Sequence, residues 1–443
     1  MNDVTKAIGR LRRSGGRDLA RRVIRRLGQR VGVQELDFPI LEHDLADSTR
    51  LRLPAAAPIA SAEGARIGWI CTPADAGSGG HTTLFRMVQA MVERGHPCTV
   101  FLYDRHGADF ATRVGIIRDG WPWLDVEFRD AESGIDGVEA CVATSWETAH
   151  VLATHGGAPM ARLYFAQDYE PLFHPRGALA AFAEDSYRFG FRIIALGAMV
   201  ARHVGALGAR TELAPFGCDT ATYRLTNPDG PRSGVVFYAK PSSDRRGYLL
   251  GKRALELFHE LHPEQPIHLY GARVDDWSIP VVQHGTVTPV ELAALYNGAL
   301  AGIALSFTNI SLVAEELLAC GAVAIVNDSD DARADLAHPD ARWCTATPGA
   351  IADALAAAVE HPDATLPRRS AALVRSGWGP AAAVVARVIA DELTRSNALA
   401  AAWTAPVLIP VTGPISAVTS AAAHALGARG PASRAAHRQE RTR

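Results

Sequence analysis

Chemistry in this sequence concentrates in two acids two residues apart, two bases five apart, and a polar bend ahead of a short helix. Asp168 and Glu170 follow the apolar run 161–165, so both leave a strand end. There a carboxylate can orient an acceptor hydroxyl or take its proton; a helix cap or a surface pair is the other reading of the same residues. Lys240 and Arg245 follow a second apolar run, 234–239, and the bend Thr308-Asn309-Ile310-Ser311 leads into a helix that opens at Leu312 and carries Glu316. Two cations and a helix N-terminus on one sheet edge suit a diphosphate. They can also stabilise the charge that develops on a departing nucleoside diphosphate without a metal. The turn Gly77-x-Gly79-Gly80-His81 lets backbone approach a ligand closely. It fits neither the dinucleotide fingerprint nor the Walker loop, and by itself it is equally a tight strand-to-helix turn. Asp328-Ser329-Asp330 is a D-x-D match, read as a polar turn after a strand rather than a metal site.

These residues need elements to hold them. Residues 66–71, the glycine turn, a helix over 82–94 and a strand over 98–103 make one βαβ unit. Strands over 138–143, 161–165 and 192–196 continue it, and 213–219 reads as a crossover between domains. Asn227-Pro-Asp-Gly230 is a turn that opens a second domain. That domain has strands over 234–239, 267–270 and 281–285 and a helix over 248–261. Thr288-Pro289 with Glu291 caps a further helix over 290–298. Residues 306–328 read as strand end, bend, helix to Cys320, a Gly321 stop and a buried strand over 322–326, with Asn309 and Ser311 as cap candidates. In open parallel sheets the carboxyl ends of the strands share one ligand-binding edge. The fold class is therefore α/β, two Rossmann-like domains with a cleft between them. The boundaries are 1–60 for a basic arm and linker, 61–225 for an N-terminal acceptor domain and 226–380 for a C-terminal donor domain. A helix over 381–403 and a disordered tail over 404–443 complete the chain.

Composition narrows the class. With 48% hydrophobic residues and a net charge of -2 in 443 residues, the chain is a soluble globular protein with no general attraction to polyanions. The six cysteines, at 71, 98, 141, 218, 320 and 344, form no C-x-x-C pair and are expected as reduced core residues of a cytoplasmic protein. No apolar run reaches the roughly 18 residues of a membrane span. Residues 1–30 carry ten bases against two acids. They are expected either as a helix in peripheral contact with the inner face of the membrane or as a solvated arm. The arm has no aromatic residues, which disfavours nucleic acid.

The segments Gly79-Gly80-His81, Gln167-Asp168-Tyr169-Glu170, Tyr238-Ala239-Lys240 with Arg245, and Asn309 through Gly321 resemble the GT-B glycosyltransferases of family 4, most closely the WsaF-type rhamnosyltransferases. The resemblance covers about residues 65–395. It implies that Lys240 and Arg245 contact the donor diphosphate. Lys240 stands where Arg is usual, a point charge in place of a bidentate fork. It implies that Glu316 holds the donor ribose. Thr308 occupies the place of the family's other glutamate, in keeping with a deoxysugar donor. Retention of anomeric configuration is implied as well.

The expected function is transfer of a sugar, rhamnose from dTDP-rhamnose, onto a cell-surface polysaccharide or lipid-linked glycan precursor, with no cofactor or metal. Asp168 and Glu170 are the catalytic candidates. Gly79, Gly80, His81, Lys240, Arg245, Tyr270, Thr308, Asn309, Ile310, Ser311, Leu312 and Glu316 are the donor-binding ones. A noncatalytic glycan-binding or scaffold protein of the same fold is the alternative, kept open by Thr308. A sugar-nucleotide epimerase of the same shape is the third reading.

Overall fold

A computed structural model describes residues 38–404 apart from 58, 60, 75, 76, 375 and 376, and the side chains to residue 395. The basic arm over 1–30 and all but the first residue of the tail over 404–443 lie outside the described residues.

The first half alternates strand and helix: β1 (Ile67–Cys71), α1 (Gly79–Val92), β2 (Cys98–Leu102), α2 (Phe110–Gly120), β3 (Glu127–Asp130), β4 (Ala140–Ala143), α3 (Trp146–His155), β5 (Ala161–Ala166), α4 (Ala178–Ser186), β6 (Arg192–Leu196), α5 (Ala198–Ala206) and β7 (Thr211–Ala214). The second half repeats the alternation with β8 (Val235–Ala239), α6 (Tyr248–Leu261), β9 (Ile267–Gly271), β10 (Val282–Gly285), α7 (Pro289–Gly298), β11 (Ala301–Ile303), α8 (Leu312–Ala319), β12 (Val323–Asn327), α9 (Asp330–Asp335), β13 (Arg342–Cys344), α10 (Pro348–Glu360), α11 (Leu366–Leu373) and α12 (Gly379–Thr404). Among the described residues the sheets run β3-β2-β1-β4-β5-β6-β7 and β10-β9-β8-β11-β12-β13. Every pairing is parallel, for example Ile67 beside Cys98 and Val235 beside Ile267. Strands β1, β4, β5 and β12 are buried along their whole length, as sheets covered by helices on both faces require.

Strand order reverses between β1 and β4 in one sheet and between β8 and β11 in the other. Such switch points open a crevice outside the strand ends. The Gly79-Gly80 turn leaves β1, and the Lys240–Arg245 loop and the 306–311 bend leave β8 and β11. Local signals fix these junctions. Ser78 caps α1 through the His81 amide, Thr288 and Glu291 form a capping box on α7, and Gly321 takes φ +79° after α8.

Two expectations are corrected. Residues 38–53 are no linker. Ile40 is 1% exposed, Asp44 accepts from the Tyr103 hydroxyl (2.7 Å) and pairs with His155 (2.6 Å), and the Ser48 hydroxyl donates to Asp185 (2.6 Å). The segment packs on the first half through buried Ile40 and through Phe38, Leu45, Leu51 and Leu53 against the same hydrophobic cluster. Residues 213 and 214, read as the start of a crossover, instead close the seventh strand of the first sheet, Thr211–Ala214, beside β6. Helix α12 returns to the first half, where Arg387 pairs with Glu212 (2.8 Å) and Glu392 with Arg210 (2.7 Å). The two chain crossings touch: the Gly377 amide donates to the Cys218 carbonyl (2.8 Å). A Cβ on Gly217 would lie 2.2 Å from the Gly377 oxygen, so only glycine fits there.

Candidate functional site

The centre of the cleft is Asp168, just beyond β5 and 4% exposed. Its carboxylate accepts from groups of the opposite half: Thr308 Oγ1 at 2.7 Å, the Asn309 amide at 3.2 Å and Arg245 Nη1 at 3.3 Å. Asn309 Nδ2 donates to the Gln167 carbonyl (2.8 Å), and Gln167 Nε2 donates to the Gly80 carbonyl (3.1 Å). The glycine turn, the Gln167-Asp168 corner and the 308–309 bend thus form one continuous chain of bonds across the cleft. Burial pushes the Asp168 carboxyl above the ordinary carboxylate range, and Arg245 opposes that rise.

The bend is held from behind. Buried Asn327, at the end of β12, accepts from the Ser306 amide and donates to its carbonyl, both at 2.8 Å. The Phe307 amide donates to the Arg245 carbonyl (3.0 Å), tying the bend to the cation loop. The Arg245 guanidinium lies 4.4 Å from the centre of the Phe173 ring, a cation–π contact with the other half. Arg246, which the sequence reading left out, donates to the Ser306 hydroxyl (2.9 Å). Burial and the neighbouring Arg245 hold Arg246 down at about 10, still charged at neutral pH. The consecutive Arg245-Arg246 pair was the available signal. Lys240 is exposed at the end of β8.

Thr308, Asn309, Ile310 and Ser311 are buried, and Leu312 begins α8. Ser311 is the cap residue by position, although its side chain makes no cap bond. Glu316, half-buried on the same helix, is pushed up to about 8 by burial, with Arg86 opposing and Asp219 and Glu315 adding. Gly79 and Gly80 are exposed at the start of α1, and a Cβ on Gly79 would meet nothing within 4 Å. His81 is held by Ser78 Oγ (2.8 Å) and the Thr72 carbonyl (3.1 Å).

Two candidates are not brought to the cleft. Glu170 is 3% exposed and turned into the first half, where it accepts from the Trp146 amide and the Tyr164 hydroxyl (3.0 Å). Burial first, and Glu147 second, push its carboxyl well above the usual range. The backbone turns into a 3-10 helix at Glu170 and carries the side chain away from Asp168. Tyr270 is buried with its hydroxyl on that of Tyr296 (2.6 Å) and its ring stacked on Tyr238, so it packs beneath the edge instead of lining it. The D-x-D segment is a turn: Asp328 pairs with Arg333 and Ser329 caps α9. Among the described residues no group of three or more His, Cys, Asp or Glu side chains is placed to hold a metal, and all six cysteines are free thiols.

Two parallel Rossmann-like sheets facing across this cleft define a GT-B chain. Residues 233–356 match the family model described as WsaF, C-terminal domain. The chain is 33% identical over 277 residues to the O-antigen biosynthesis protein RfbC of Myxococcus xanthus, a match covering 58% of this chain and 21% of that protein. The chain therefore spans about a fifth of the length of the curated relative it matches. Anabaena HepE in complex with UDP and glucose is similar in fold, with TM-score 0.55 and 15% identity over 76% of this chain and 99% of that one. The Thermobaculum terrenum O-GlcNAc transferase is similar too, with TM-score 0.51 and 14% identity over 79% of this chain and 72% of that one.

Proposed function

We propose that this chain is a glycosyltransferase of O-antigen-type polysaccharide assembly that takes a sugar from a nucleoside diphosphate. The supporting observation is the bond chain that gathers Arg245, the Thr308–Asn309 bend and the Gly79-Gly80 turn around one carboxylate at both switch points. Lys240, Arg245 and Arg246 supply positive charge to the diphosphate, the α8 amides near Ile310 to Leu312 add donors, and Glu316 takes the ribose hydroxyls. A carboxyl held near 8 can donate to a ribose oxygen as well as accept. The leaving diphosphate is stabilised by fixed cations and amides alone. Asp168, raised by burial, is the group suited to take the acceptor's proton near neutral pH.

At the finer level the donor is dTDP-rhamnose, the transfer retains configuration, and the acceptor is a polysaccharide or lipid-linked precursor. Thr308 in place of a glutamate supports a donor sugar lacking a hydroxyl at that contact. The complex of Anabaena HepE with UDP supports a uracil- or thymine-type nucleotide. The test is incubation of the full chain with radiolabelled dTDP-rhamnose, UDP-glucose and GDP-mannose, with calorimetry for dTDP, UDP and GDP. The expectation is dTDP binding and slow release of labelled rhamnose. If no nucleotide binds and no nucleotide sugar is turned over, the proposal is wrong.

A further inference from the structure

A cavity of about 480 Å³ lies between α1, the segment after α2, and residues 219–222. It begins at Gly77, in the same turn as Gly79, and reaches Pro289 of the other half. Its aromatic wall is Trp121 and Trp123. Trp121 is anchored: it is buried, its Nε1 donates to Thr82 Oγ1 (2.9 Å), and its ring meets Phe85 edge-on at 4.9 Å. Trp123, two residues on, is 43% exposed at the rim. A large ring held in water beside a fixed anchor makes a stacking platform.

The polar walls say what would stack there. On one side Arg86 is already neutralised by Asp219 (2.8 Å), which also accepts from Thr222. On the other, Gln89 donates to the exposed carboxylate of Glu93 (3.2 Å). The lining carries two carboxylates to one guanidinium, which repels a diphosphate. Carboxylate and amide oxygens instead accept readily from neutral hydroxyls. An apolar ring face flanked by such acceptors matches a sugar, which has a C–H face and a hydroxyl rim. The volume lies within the range of ligand pockets.

We infer that this groove binds a saccharide chain, the acceptor residues beyond the one that receives the sugar, with Trp123 as stacking platform and Glu93 and Gln89 as hydroxyl acceptors. The inference rests on the reading of the chain as a glycosyltransferase. Saturation-transfer NMR on the full chain, with an α-linked rhamnose trisaccharide and with maltotriose as probes, separates the two. The expected result is transfer to ring C–H protons of at least one probe, kept at saturating dTDP and reduced about tenfold in Trp123→Ala. Melting of the variant is compared with wild type, and Glu93→Gln, on an exposed site, provides a second weakening substitution. The inference is overturned if neither probe shows transfer, if both variants keep the wild-type signal, or if dTDP abolishes it. The last result would make the groove part of the nucleotide site. Failure of dTDP itself to bind would count against the proposed function instead.

Discussion

Replacing Arg245 with Met tests the donor site where its geometry is most specific. The guanidinium sits 3.3 Å from Asp168, longer than a strong charge-assisted bond, and its side chain is about one-third exposed. Asp168 is buried, so losing Arg245 would cost on the order of 3–5 kcal/mol if the carboxylate stayed ionised. Asp168 would answer the loss by taking up a proton, because an unpaired buried charge costs more than a neutral acid. A bond from Arg245 to a diphosphate is worth about 1.5–3 kcal/mol, as for other charged hydrogen bonds. Arg245→Met should thus weaken dTDP binding about 10- to 100-fold, with a fall in melting temperature limited by protonation of Asp168. Asp168→Asn should act in the opposite sense. It removes a negative charge that competes with the phosphates for Arg245, and dTDP should bind about two- to fivefold tighter. Isothermal calorimetry at one pH and one salt concentration reads both. An Arg245→Met affinity within about threefold of wild type would remove this residue from the diphosphate site. Both variants weakening binding together would show that Asp168 organises the site instead of competing within it.

Glu316 is raised from 4.5 to about 8 in the folded chain, so the folded state keeps a proton that the unfolded state has lost. Its contribution is fully present below about pH 4.5 and is lost as pH rises through 8. Glu316→Gln should flatten the fall in stability between these values, by on the order of 1–3 kcal/mol after allowing for partial exposure, in urea melts at pH 5 and pH 8.5; equal slopes would contradict the raised value. Asn327→Ala leaves the buried Ser306 amide and carbonyl unpaired and should cost about 2–4 kcal/mol in chemical denaturation, with weaker dTDP binding, because the bend loses its rear support. Gly217→Ala forces a methyl against the Gly377 carbonyl and should lower stability by about 2 kcal/mol or more in a thermal melt; an unchanged melt would mean that the crossing is slack.

Most strands of both sheets were legible because each is a short apolar run closed by a turn residue. The capping box at Thr288 and Glu291 was legible because its two partners are three residues apart. Edge strand β3 was missed: none of its four residues is fully buried, and two are charged acids, so it carries no apolar run. The strap over 38–53 was missed for another reason. Its stabilising partners, Tyr103, His150, His155 and Asp185, lie 59 to 137 residues away, and no local pattern announces them. The same holds at the site. Asp168 and Glu170 look equivalent two residues apart, but one bonds Thr308 from 140 residues away and the other bonds a helix start in its own half. Trp121 and Trp123, one buried and one exposed, lie in a short loop where no periodic pattern marks them.

The return of α12 sets an order of events during synthesis. Leu393, Val388 and Val385 are buried in the same hydrophobic cluster as Leu84, Phe85 and Ala214, and Arg387 and Glu392 pair with β7 and its flank. The first sheet is complete in sequence at Ala214, yet part of its cover arrives roughly 180 residues later, about 10–35 s at usual translation speeds. Through that interval the nascent first half presents an uncovered apolar face. Its cohesion cannot be tested by expressing residues 38–230 alone, because that fragment reproduces the waiting state and not the finished one.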